Sequence, residues 1–375
     1  MTRPIRDICL FFSPFFVVFG FPLIVLFRAG EFKGIDIPAV ISSQIKSKDE
    51  FYYRPAYNNN DYLYKIVGTQ KKIPKILVVG SSRSMQIRSI FFKNPGTFYN
   101  AGGSASKVSH LTCFLDQIPA GHEPKLLILT LDPEWFNGKY DNEGSLHYQQ
   151  FLVPATGLGL ISNNFVQIYK DNWHKKFTLH ALFNAPSNCI GLNASINGNG
   201  FRRDGSYLYA KSIINPDEGL EPGHRFQDAL NRIATGSDRF EFAETPAEWA
   251  LENLASFLES AARRDIHVVA AITPYAPKVW RTMVDTRRYG YLGTLGHRLE
   301  PLFASFGFIF LDCSNPAKLT AQDSEFFDGF HPSERVAIRL LQTLARKDPY
   351  LSNELNHIIL EGINAGGNPL YVFPQ

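Results

Sequence analysis

Cysteine is scarce in this chain and falls in no pattern. Four thiols, Cys9, Cys113, Cys189 and Cys313, are spread over 375 residues with no Cys-x-x-Cys pair. The usual spacing of a structural zinc site is therefore missing. Cys9 lies in an apolar segment and the other three cannot all pair, so free thiols are expected. A single Cys189–Cys313 bridge is the alternative in an oxidising compartment. A surplus of one charge sign is missing too: 38 Lys and Arg against 35 Asp and Glu leave a net charge of +3, with no long basic block. Composition thus gives nucleic-acid binding no support. His110, His180 and His267 lack metal-ligand spacing, and no internal repeat or low-complexity tract appears.

What the chain does have is one long apolar run. Residues 8–27, ICLFFSPFFVVFGFPLIVLF, hold no charge and are flanked by Arg3, Arg6 and Arg28. As a helix the run would span ~30 Å, the hydrocarbon thickness of a bilayer, and Pro14, Gly20 and Pro22 are tolerated in that setting. A core helix of this length would show a polar face. A cleavable signal would have a shorter apolar stretch and a small-residue cleavage site. The expectation is a retained anchor over 1–28, with the bulk of the chain outside the cytoplasm. Residues 29–72 read as a juxtamembrane connector.

From residue 73 a rhythm sets in. KILVV (75–79), GTFYN (96–100), KLLILTL (125–131), IHVVAAI (266–272) and FGFIFLD (306–312) are short apolar runs of the kind that form strands buried on both faces. Helical patterns lie between and after them at 104–118, 247–264 and 332–346, the first with Val108, Leu111, Leu115 and Ile118 on one face. This alternation predicts an α/β three-layer sandwich around a mainly parallel sheet. Residues 138–240 break the rhythm and read as an insertion over the strand ends. Residues 347–375 read as a tail.

Two motifs fall at the carboxyl ends of strands, where open α/β sheets place their ligands. In VVGSSRS the first strand ends at Gly80-Ser81-Ser82 and a helix-like segment follows, so a serine there either caps that helix or is held up for chemistry. In FFDGFHPSERVAIRL, Asp328 and His331 are three apart on a turn. A carboxylate so placed can reach the imidazole Nδ1 and leave Nε2 as a base. Chain order brings both motifs to one sheet edge, which a nucleophile and its base require.

These blocks resemble the SGNH/GDSL hydrolase superfamily, over roughly 73–136 and 247–346. Gly80-Ser81-Ser82 is similar to its Gly-Asp-Ser block, in the Gly-Ser-Ser form of membrane-anchored members that handle acyl groups of polysaccharides and teichoic acids. Asp328 and His331 match its Asp-x-x-His block, and FYNAGGSAS (98–106) resembles its second block. The resemblance implies an SGNH-like, flavodoxin-like fold over 73–346, with Ser82 as nucleophile, His331 as base and Asp328 orienting it. It also implies an oxyanion donor from the N–H of Gly103 or Gly102. The family's third block carries an Asn that this chain lacks: Asp132 stands in the region and Asn137 is the nearest amide. Arg83, Tyr275 and Trp280 are weaker expectations for substrate binding.

The activity so implied is that of a serine acyltransferase or esterase on a cell-envelope polysaccharide or other acylated glycan, with no cofactor. Its setting would be the bacterial inner membrane, facing the periplasm or cell exterior, with a membrane-bound O-acyltransferase as partner. The missing Asn keeps a second reading open, a non-catalytic glycan-binding or assembly subunit.

Overall fold

A computed structural model of the chain describes residues 3–58, 60–140, 148–210, 213, 225–361 and 367–373; side chains of residues 3–10, 12, 14–17, 149 and 151 lie outside that description. In chain order the elements used below are α1 (Arg3–Arg28), α2 (Asp61–Lys72), β1 (Ile76–Gly80), β2 (Phe98–Gly102), α3 (Val108–Leu115), β3 (Leu126–Leu131), α4 (Gly157–Trp173), α5 (Leu179–Phe183), α6 (Glu248–Arg263), β4 (His267–Ile272), α7 (Pro277–Thr286), α8 (Gly290–Ala304), β5 (Ile309–Asp312) and α9 (Glu334–Ala345).

The five strands form one sheet in the order β2-β1-β3-β4-β5, and every pairing in it is parallel. Alternate strand residues feed two separate cores, because successive side chains point to opposite faces. Ile76, Val78, Leu126, Ile128 and Val269 pack with Val279 and Met283 of α7 and Val336, Leu340 and Leu344 of α9. Leu77, Val79, Leu127, Leu129 and Val268 pack with Leu111 of α3, Leu254 and Phe257 of α6 and Leu299 of α8. Both faces are covered, which explains why the strands read as unbroken apolar runs. Burying each such Val or Leu is worth roughly 1.5–3 kcal/mol.

The chain divides into two units. One holds residues 1–60, 153–203 and 208–211; the other, which contains the sheet, holds 61–152, 204–207 and 212–375. These boundaries differ from those read in the sequence. Helix α2, expected within a connector, belongs to the sheet unit, where buried Lys65 donates to the carbonyls of Asn100 and Gly205. Residues 153–203 of the expected insertion fold with the N-terminal segment, while 141–147 and 214–224 lie outside the described residues. The expected tail is also ordered into the sheet unit: Leu351 and Leu355 are buried, and Leu355 bridges to Phe92.

In the first unit, Tyr52–Tyr53 pairs parallel with Cys189–Ile190 and antiparallel with Phe201. Val25, Leu26 and Ala29 of the α1 end share a small core with Leu160 and Ile168 of α4 and Leu182 of α5. The span read at 8–27 forms part of one helix, but many of its side chains lie outside the described set. Among the described residues no helix is long and apolar enough to cross a membrane. Cys113, Cys189 and Cys313 are free thiols, so the alternative bridge does not form.

Candidate active site

Strand order reverses at β1, with β2 on one side and β3 on the other. Such a switch point opens a crevice at the carboxyl ends of the strands. Gly80 ends β1 there, and only a glycine fits: a Cβ would lie 1.9 Å from Thr130 Oγ1 and 2.8 Å from the Thr130 carbonyl. The two serines that follow have different partners. Ser81 Oγ accepts from the Arg83 N–H at 3.1 Å, the role of a cap. Ser82 Oγ lies 2.7 Å from His331 Nε2, across 249 residues of sequence.

The segment after Ser82 is a single 3-10 turn, Ser82–Ser84, and not the helix expected there. Asn100, buried in β2, explains the difference. Its side-chain amide donates to the carbonyls of Ser84 (2.9 Å) and Ile87 (2.7 Å), tying the segment to β2, while the Ser84 carbonyl also accepts from the Ile87 N–H at 3.1 Å, a 3-10 rather than an α-helical step. Asn100 was not singled out in the sequence. Its signal is a polar residue inside an apolar strand, which must find buried partners.

The base is built on the turn between β5 and α9. Asp328 Oδ2 meets His331 Nδ1 at 2.6 Å, and its Oδ1 accepts from the N–H groups of His331 (3.0 Å) and Phe330 (3.3 Å). Gly329 makes the bend at φ +96°, and a Cβ there would press within 2.8 Å of Val279. Ser333 caps α9, its side chain accepting from the Val336 N–H, so Pro332 precedes the helix. Burial opposes charge on Asp328, but the His331 charge and the hydrogen bonds from His331 and Phe330 outweigh it and hold the carboxyl down at about 2. An ionised Asp328 can only accept, so Nδ1 carries the hydrogen and Nε2 is left to take the Ser82 proton.

The glycine donors differ from expectation. Gly103 N–H donates to the Gly80 carbonyl at 2.9 Å, and Gly102 N–H to Asn100 Oδ1 at 2.6 Å. Neither is open to an oxyanion, because the end of β1 holds one and the Asn100 side chain the other. The Asn137 amide is likewise engaged, on the Glu241 carbonyl at 2.5 Å. At the Ser82 turn, the serine's own N–H is the remaining donor, as at the start of any helical turn.

Arg83 and Tyr275 do not face a ligand. Arg83 is fully buried, donates to the carbonyls of Thr273 (3.0 Å) and Pro274 (2.7 Å), and stands 3.7 Å from Asp132 and 3.6 Å from Glu134. Its guanidinium lies over the ring of Tyr275, whose hydroxyl donates to Glu134. Burial, then the neighbouring Asp132 charge, push the Glu134 carboxyl up, against Arg239 and Arg83. This network braces the nucleophile turn from beneath. Trp280 of α7 is partly exposed and lines a cavity of about 560 Å³ with Arg281, Asn315 and Gln322. The α7 end of that cavity is tied to the base turn, since Ala276 N–H donates to the Gly329 carbonyl at 2.8 Å.

The other histidines have local roles: His110 meets Ser106, His180 meets Asn184, and His267 meets Asp348. Among the described residues no three His, Cys, Asp or Glu side chains group to hold a metal ion. Compared with known proteins, the chain matches no family model and is similar to no curated sequence.

Proposed function

We propose that this chain is a membrane-anchored, extracytoplasmic SGNH-like serine acyltransferase or esterase that handles O-acyl groups on a cell-envelope polysaccharide. One observation carries the reading: Ser82 Oγ, His331 Nε2 and Nδ1, and Asp328 Oδ2 form a continuous chain at 2.7 and 2.6 Å. A serine, a base and an orienting carboxylate in that relation are the parts of nucleophilic acyl transfer. The β2-β1-β3-β4-β5 order, covered on both faces, supports an SGNH-like, flavodoxin-like three-layer sandwich.

Ser82 Oγ attacks the acyl carbonyl while its proton passes to His331 Nε2. The tetrahedral species collapses, the oxygen of the acyl donor departs with that proton, and an ester to Ser82 remains. An acceptor hydroxyl, from a second sugar or from water, then gives its proton to His331 and attacks the ester, and Ser82 recovers its hydrogen. Asp328 stays ionised throughout and stabilises the imidazolium. None of these steps needs a metal or organic cofactor. The acyl group would come from a membrane-bound O-acyltransferase, and the Trp280 cavity offers an aromatic face for a sugar ring. Helix α1 supplies the anchor in the inner membrane.

A fluorophosphonate probe tests the reading. The wild-type chain should be labelled at Ser82, and Ser82→Ala should abolish labelling while Ser81→Ala retains it. An unlabelled wild-type chain that binds polysaccharide equally well after Ser82→Ala would leave the non-catalytic glycan-binding subunit. That second reading draws on the engaged N–H groups of Gly102 and Gly103. A single oxyanion donor weakens hydrolysis, since each one is worth about 2.7–4 kcal/mol.

A further inference from the structure

Large apolar side chains are left in the open chiefly in the unit that contains α1. On α4, Leu158 is 82% exposed, Val166 62% and Trp173 84%. At 100° per residue, Leu158, Ser162, Phe165, Val166, Tyr169 and Trp173 fall within about 100° of arc, one continuous stripe. The opposite side of α4, Leu160 and Ile168, is the side that packs into the unit's core with Val25 and Leu26. The helix is thus apolar on its inner face and again on its outer one.

The outer stripe continues onto α1. Phe165 lies against Phe19, with ring centroids 5.2 Å apart, and Tyr169 against Phe21 at 5.1 Å; the Tyr169 hydroxyl donates to the Val18 carbonyl at 2.6 Å. Beside it, exposed Leu23, Ile24 and Phe27 of α1 and Phe183 of α5 border an almost wholly apolar hollow of about 520 Å³. Cations stand at the edge. Arg28 lies over the Phe183 ring at 4.8 Å, and Lys33, Lys170 and Lys175 are exposed. An apolar face with a terminal Trp and a basic border is the make-up of a helix that lies in a membrane surface.

We propose that α1, α4 and α5 together form an interfacial seat, in which Leu158, Val166 and Trp173 enter the headgroup–acyl boundary of an anionic bilayer. The proposal rests on the membrane anchorage put forward above and widens it from one helix to a surface. The occupant is lipid because the stripe is continuous with the long apolar helix α1 and its rim is basic, which suits anionic headgroups.

The experiment uses the full chain with vesicles of phosphatidylcholine and phosphatidylglycerol, some brominated near the top of the acyl chain. Flotation reads attachment, and the emission difference between wild type and Trp173→Phe reads Trp173 alone. The expected result is flotation, with that difference signal quenched at least twofold by brominated lipid. Leu158→Glu/Val166→Glu should still float but lose the quenching. A chain that floats with Trp173 unquenched would overturn the seat and leave the anchor standing, with a protein or a second copy as the cover of the stripe. A chain that does not float at all would overturn both.

Discussion

Ser81 and Ser82 are adjacent and chemically alike, yet one serves the backbone and the other faces an imidazole. The difference is one of direction, set by the extended conformation of Ser81 at the head of the turn. Asp328→Asn should keep the fold but lose the acceptor that fixes the His331 tautomer, lowering the rate of fluorophosphonate labelling by on the order of 10³–10⁴. The same residue governs part of the acid stability. Its carboxyl is held below its ordinary value of 3.8, at about 2, so its contribution is complete above about pH 4 and is lost as pH falls toward 2. Thermal melts over that window should fall more steeply for the wild type than for Asp328→Asn. Arg83 is a bracing residue: Arg83→Met removes a buried cation from beside Asp132 and Glu134, at a cost of about 3–5 kcal/mol in chemical denaturation.

At the level of elements, the site depends on three separate segments of the sheet unit. The 3-10 turn after β1 carries the serine, β2 carries Asn100, and the loop between β5 and α9 carries the base. Asn100→Leu should remove the side-chain donor from the Ser84 and Ile87 carbonyls, costing about 1–3 kcal/mol and slowing labelling of Ser82. Gly80→Ala forces β1 away from Thr130; overpacking of this kind costs about 1–3 kcal/mol, and labelling should fall along with the denaturation midpoint. The five strands and the helices at 248–263 and 334–345 were legible from apolar runs and helical periodicity, because their cores are built from local pattern. The α-helix expected after Ser82 was not realised; the Ser84 and Ile87 carbonyls are tied to the Asn100 side chain of β2, a contact that no local pattern reveals.

For the whole molecule, cysteine scarcity translates into three free thiols in the described residues, with Cys313 pushed up to about 12 by burial and the neighbouring Asp312. Melting temperature should therefore be the same with and without reductant. The alternation of strand and helix, the parallel sheet and the pairing of Asp328 with His331 could be read from residue pattern alone, because each follows from spacing along the chain. It took the folded chain to show that Ser81 caps the turn while Ser82 Oγ lies against His331, that Arg83 and Tyr275 are buried bracing, and that Gly102 and Gly103 have their N–H groups engaged. Those outcomes depend on groups far apart in the chain competing for the same hydrogen bonds, and no local pattern records who wins.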